Sequence, residues 1–235
     1  MATKGILAHC QIWPDTSRSA HQRSACCFQT VTSSTSETDM KWFILQDEST
    51  NEAFCQIWKY PKALLQFHRP RRGIAMGSEY PAGLRFQMAP EVKGNLIADV
   101  VPNALGYFMV SKRMKELLSQ HATADIEYLP FSLLNTKGRV VADDLHIVNV
   151  LGARDWADID RSFGARRTSL EGEREFGRIR RLYLRDDAVD PSTNLFRLGA
   201  MPKLILMRED LREHFERAGM TGAVFHGMGV KVDIQ

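Results

Sequence analysis

The residues whose types and spacing best suit chemistry lie in Asp155-Trp156-Ala157-Asp158-Ile159-Asp160, where three carboxylates fall within six residues. Such a cluster binds a hard cation through oxygen if the loop supplies enough ligands. A calcium loop also needs Gly at its sixth position and a closing Glu; this segment has neither. Asp side chains capping backbone N–H groups in a turn rank first. An acidic patch for a basic partner, with Trp156 as its aromatic anchor, ranks second. Metal binding ranks third.

The seven histidines are His9, His21, His68, His121, His146, His214 and His226. No two have the HExxH or HxH spacing that sets two imidazoles on one metal. No GxSxG elbow and no Walker phosphate loop occurs. Gly227-Met228-Gly229 lacks the strand–helix context of a dinucleotide site and reads as a tight turn. Basic groups stand at His68 to Arg72, at Arg166-Arg167, and at Arg178, Arg180 and Arg181. Any of these could meet phosphate. Glu171, Glu173 and Glu175 interleave with them, and mixed-sign runs usually form a solvated face. With 31 basic and 28 acidic residues the net charge is only +3, too little for a strong field toward nucleic acid or membrane.

The cysteines are Cys10, Cys26, Cys27 and Cys55, none in CxxC spacing. The first three fall in residues 1–39, a Ser-, Thr-, Gln- and Arg-rich stretch that buries too little apolar surface to offset ordering. That stretch reads as a disordered extension, with Met40 the expected true start. Residues 40–235 then form the domain. Cys55 is left alone in it and reads as a small buried hydrophobe in a reducing compartment. No apolar run is long enough for a membrane helix and no signal peptide is evident, so a cytoplasmic protein is expected.

The domain must position its polar residues on short elements. Met40 to Leu45 opens with a strand of aromatic and branched residues. Ala53 to Tyr60, Leu84 to Met88, and Leu195 to Leu198 read as further strands; so do Ile179 to Leu184 and the end segments Val224-Phe225 and Val230 to Ile234. Ile126 to Leu134 contains a Pro and reads as an edge or bent strand. Val140-Val141 begins another, and Leu145 to Leu151 is the clearest. His68 to Gly73 reads as a basic loop, and Ala153 to Gly172 as a surface crossing. Ser111 is set to cap a helix from Lys112 to about Gln120, with Met114, Leu117 and Leu118 on its buried face. A second helix from Arg208 to Ala218 buries Leu211 and Phe215 and ends at Gly219. Trp42, Trp58 and Tyr60 fall in strand patterns and read as core. The sum is an α+β single domain, a largely antiparallel sheet of short strands with two or more packed helices.

Read in order, several segments resemble one family. They are Ala98-Asp99 with Pro102, Val110-Ser111-Lys112-Arg113, and Ile147-Val148-Asn149-Val150-Leu151. Asp155, Asp158-Ile159-Asp160 and Ser162 follow, then Leu195-Phe196-Arg197-Leu198, and finally Thr221-Gly222-Ala223-Val224-Phe225. This order is similar to the Imm-eleven family of bacterial polymorphic-toxin immunity proteins. The resemblance implies a cytoplasmic antidote that binds and neutralises a cognate toxin encoded by an adjacent gene, without catalysis or cofactor. The family offers no catalytic motif to carry over.

On this reading the partner-binding residues are Asp155, Trp156, Asp158 and Asp160. No catalytic, cofactor or metal residue is assigned, and no nucleic acid or membrane is expected as partner. Two alternatives make distinct demands. An enzyme of another type needs a polar cleft that gathers Asp158, His146 and Arg180. A nucleic-acid binder needs one face holding most of Arg69, Arg71, Arg72, Arg178 and Arg181.

Overall fold

The apolar runs of the sequence become strands that are buried on both faces. The computed structural model describes residues 40–168, 172 and 174–235, Arg174 by its backbone alone. The 1–39 segment, with Cys10, Cys26, Cys27, His9 and His21, lies outside the described residues, as do Glu171 and Glu173. The first sheet has the order β10-β1-β9-β8, built from Ala223–Gly227 (β10), Trp42–Asp47 (β1), Ile205–Arg208 (β9) and Leu195–Arg197 (β8), all antiparallel. The second has the order β2-β4-β5-β3, from Arg85–Gln87 (β2), Ile126–Leu134 (β4), Val140–Val150 (β5) and Met109–Val110 (β3). Only β2 runs parallel to its neighbour there. Phe163–Thr168 (β6) and Arg174–Arg181 (β7) form a separate hairpin.

Side chains alternate across each strand, so one strand feeds two cores. The alternation in β1 shows this: Trp42 and Ile44 join one cluster with Phe196, Leu206, Phe176 and Ile179. Leu45, Leu195, Ile205 and Met207 turn the other way. In β5, Val148 and Val150 meet that second group, while Leu145 and Ile147 pack on Phe86, Phe131 and Tyr107. The two sheets therefore share a central core, and each also covers an outer one. Strands buried on both faces read as continuous apolar runs.

The central core is completed by Lys112–His121 (α2) and Glu209–Arg217 (α3). Met114, Leu117 and Leu118 of α2 and Leu211 and Phe215 of α3 are buried there, as their spacing predicts. Ser111 caps α2 by accepting from Met114 N at 3.2 Å. The second helix has no such cap; Arg208 instead binds Asp210 through Nε at 2.7 Å and Nη2 at 3.0 Å. Glu209 and Asp210 still place negative charge by the helix N-terminus, where the macrodipole favours it.

Five expectations change. Ala53 to Tyr60 makes isolated bridges at Phe54 and Ile57, and Val230 to Ile234 one at Ile234, instead of strands. His68 to Gly73 is a single helical turn, Arg69–Arg72 (α1), not a loop. Ala153 to Gly172 is not all surface crossing: it contains β6, whose mostly exposed residues carry no alternation to reveal a strand. Trp58 is 40% exposed, whereas Trp42 and Tyr60 pack as expected. Pro130 fits its strand because β2 covers only Ser132 to Leu134, leaving β4 one neighbour at the proline.

Three of the six segments that carry the family resemblance meet at Asp99. Its Oδ1 accepts from Ser111 Oγ at 2.7 Å, and its Oδ2 accepts from Thr221 N at 3.0 Å and Thr221 Oγ1 at 3.1 Å. Thr221 Oγ1 accepts in return from Asp99 N at 3.1 Å. Next to it Gly222 has φ of 80°, and a Cβ there would lie 2.3 Å from Val100 O and 2.5 Å from Ala98 Cβ. Backbone and side chain both demand glycine. Gly222→Ala is expected to destabilise the fold by about 2–4 kcal/mol, from left-handed strain plus the clash, read as a lower urea midpoint.

Glu127 fastens the segment after α1. It accepts from Met76 N at 2.8 Å, Gly77 N at 2.8 Å and Asn149 Nδ2 at 2.9 Å. Burial pushes its carboxyl up, but these donors and Arg69 together hold it below the ordinary carboxylate value. A depressed carboxyl contributes stability above its unfolded pKa and loses it as pH falls through the folded value. The stability difference between wild type and Glu127→Gln is therefore expected to be full at neutral pH and to shrink on acidification below the unfolded value. Urea titrations across that range measure it; a constant difference contradicts the account.

Candidate functional site

The deepest commitment of charge in the fold is Arg197. It is 3% exposed, and no carboxylate among the described residues pairs with it. Its Nε donates to Val150 O at 3.0 Å, Nη1 to Arg71 O at 2.9 Å and also to Pro202 O, and Nη2 to Pro70 O at 2.9 Å. A guanidinium has five N–H donors in a fixed fork, and this arrangement uses four. Two acceptors are carbonyls in α1, a helix too short to satisfy its own C-terminal end. Gly73 ends that helix at φ 72°; a Cβ there would meet Gly152 O at 2.6 Å, Val150 O at 2.7 Å and Arg197 Nε at 2.9 Å. Burial draws the Arg197 pKa down to about 10. It remains a cation at neutral pH.

Above this cage lies a cleft of about 460 Å³. Its charged lining is His68, Arg71, Arg72, Arg167, Glu175 and Lys203. Phe176, Gly177, Met201, Pro202 and Gln235 complete it. Glu175 is 5% exposed; Arg167 Nη2 lies 2.8 Å from it and Arg72 Nη2 3.9 Å. A buried carboxylate thus orients two guanidinium groups at the wall. Arg71 and Lys203 have no carboxylate partner among the described residues. Burial, and then the charges of Arg71 and Arg167, lower the Lys203 pKa. Phe67 is 42% exposed with its ring 6.0 Å from that of His68, and Leu65 is 80% exposed.

The predicted partner residues lie on the loop before β6. Asp155 and Asp160 are exposed. Asp158 Oδ1 accepts from Arg161 N at 3.0 Å, the turn-capping role ranked first for this segment. Trp156 is half-buried, its ring 4.6 Å from Phe196 and 5.9 Å from the Arg154 guanidinium. Arg185 donates to Asp155 O and Arg166 to Ile159 O, so arginines ring the acidic turn. Sequence spacing found this turn but missed the cleft. The cleft draws on residues 68–72, 167, 175 and 203, which the chain order keeps far apart.

The alternative sites disperse. His146 lies on β5, Asp158 in the loop and Arg180 on β7, and none of the three lines the principal clefts. Arg69 pairs with Glu79 at 2.8 Å and Arg178 with Asp233, while Arg71 and Arg72 face the cleft. Cys55 is fully buried, and burial pushes its thiol up to about 11, so it acts as an unreactive small hydrophobe. Among the described residues no cluster of three or more His, Cys, Asp or Glu is arranged to hold a metal ion. No helix among them is long and apolar enough to cross a membrane.

Arg197→Met removes the donors while leaving four carbonyls to find new partners. The expected loss is about 3–5 kcal/mol, the scale of breaking a buried charged network, measured by chemical denaturation. Arg197→Lys is expected to recover little, since one ammonium cannot reproduce the fork.

A family model described as an immunity protein family (Imm11) matches residues 13–230 of the chain. No curated protein matches it.

Proposed function

The chain belongs to the Imm11 immunity protein family, and from that premise we propose that it binds a cognate bacterial toxin and neutralises it by protein–protein contact. The observation that carries this reading is the extent of the match, which takes in nearly the whole chain. Immunity proteins act in general by binding, and binding asks for a rigid, charged surface with aromatic anchors rather than a catalytic constellation. The described domain offers such surfaces. The Asp99 network and the Arg197 cage hold its elements in place while charged side chains stay outside.

One contact surface in this proposal is the acidic turn before β6: Asp155 and Asp160 with the free edge of Trp156, Asp158 holding the turn in shape. Exposed carboxylates there suit a basic toxin face. The protein is expected to act in the cytoplasm of the producing cell, against a toxin encoded by the adjacent gene.

The test is co-expression of the full chain with the product of that adjacent gene. Cell survival and a stoichiometric complex on purification are the expected results. Asp155→Lys with Asp160→Lys is expected to weaken the complex about tenfold or more. Absence of both rescue and complex, with the domain folded, defeats the proposal for that toxin. Intact binding by the double variant removes the acidic turn from the interface and leaves the rest standing.

A further inference from the structure

We propose that β10 is the contact strand of a two-fold dimer, in which it pairs antiparallel with the β10 of a second copy of the chain and joins their two first sheets into one. The inference is independent of the toxin reading, because the partner is the chain itself.

The phase of the strand is the first argument. Glu48 N donates to Gly222 O at 2.9 Å, so in the register of β1 with β10 the residues hydrogen-bonded to β1 are Val224 and His226. The far side of β1 agrees. Glu209 N donates to Lys41 O at 3.0 Å, which turns the backbone groups of Phe43 and Leu45 toward β9. Ala223, Phe225 and Gly227 therefore aim their backbone groups away from the sheet. Among the described residues nothing bonds to the N–H or C=O of Ala223 or Phe225, or to the N–H of Gly227. Gly227 O accepts from Val230 N at 3.3 Å.

The other edges are the second argument. An open strand edge invites pairing, and folds blunt it with short strands, proline, charge, bulges or a cover. β2, β3 and β8 are only two or three residues long. Val100 bridges to β3 at Val110, and Arg154 N donates to Arg197 O of β8. β4 carries Pro130 where β2 stops covering it. The start of β5 and the pairing of β6 are broken by register shifts. β7 exchanges bonds with Ile234 through Ile179. β10 has none of these devices: it runs five residues in unbroken register with β1, without a proline or a charged side chain.

Symmetry selects the occupant. The open groups are disposed evenly about Phe225. A two-fold axis there sets Phe225 against its own copy, and Ala223 against Gly227 of the second copy, so each open group meets a donor or an acceptor. Ring then meets ring at Phe225, and Val224 meets the second copy's His226; no like charges oppose each other. Over the same face, the Arg212 guanidinium of α3 lies 6.0 Å from the Phe225 ring and its Nε 3.0 Å from Glu216 Oε1, so both signs are present.

The experiment is sedimentation equilibrium of the full chain alone. One short strand makes a small interface, so a dissociation constant on the order of tens of micromolar is expected. Val224→Glu with His226→Glu sets the introduced carboxylates opposite one another across the axis and is expected to raise that constant about tenfold or more. Val224→Glu with His226→Lys sets opposite charges there and is expected to restore the dimer. Far-ultraviolet circular dichroism and the urea midpoint confirm that each variant folds. If the doubly acidic variant does not, Ala223→Pro replaces it, since it removes an outward N–H and no bond to β1. A wild type that stays monomeric to roughly ten times the expected constant overturns the proposal. So does a dimer that the folded acidic or proline variant leaves intact. Equal loss in the acidic and the mixed-charge variants overturns the two-fold register.

Discussion

The structure depends on how a guanidinium can be buried without a carboxylate. Moving such an ion from water costs several kcal/mol even after relaxation. Here the cost is offset by four backbone carbonyls drawn from three places: α1, the end of β5 and the turn at Pro202. Those carbonyls must converge on one point, so Arg197 sets where the elements meet. α1 has to end at Gly73 because any side chain there strikes the cage. The 199–204 turn has to fold back over β8. Once built, the cage holds a positive charge under the cleft, and the character of the surface follows from the solution to a folding problem.

The segments that carry the resemblance do comparable work elsewhere. Asp99, Ser111 and Thr221 bind one another, Gly222 allows the close approach, and Ile147 to Val150 fill two cores. Arg197 lies in another of these segments. Such residues specify the fold more than the partner. The charged exterior is where substitution costs little stability.

Much of the fold was legible from local rules. Ser111, Met114 and Leu118 announced α2 because capping and a 3.6-residue period act over short distances. The run Ile147 to Val150 announced β5. β6 was hidden because Phe163 to Thr168 is mostly exposed, and its strand character comes from pairing with β7 rather than from its own composition. α1 was hidden because four residues of Arg and Pro carry no periodicity; the helix exists through Arg197 taking up its carbonyls. The cleft was hidden for a related reason. Arg71, Arg167 and Lys203 each sit in a mixed-sign run that reads as solvated surface, and only the folded chain sets them on one wall. The acidic turn was visible as a sequence cluster, and its Asp158 serves the turn, as the rules for Asp predict.

The position of β1 has a consequence in time. It is the first strand of the described chain, yet its two neighbours, β9 and β10, both lie beyond residue 200. Trp42 and Ile44 therefore wait until residues 205–227 are made before their sheet can close. Chains that depend on such distant pairings fold slowly and leave apolar edges open meanwhile. Under the proposed toxin-binding role, the interval between synthesis and competence is a window of exposure. A cell relying on it must keep folded molecules in reserve, because a newly started chain cannot answer at once.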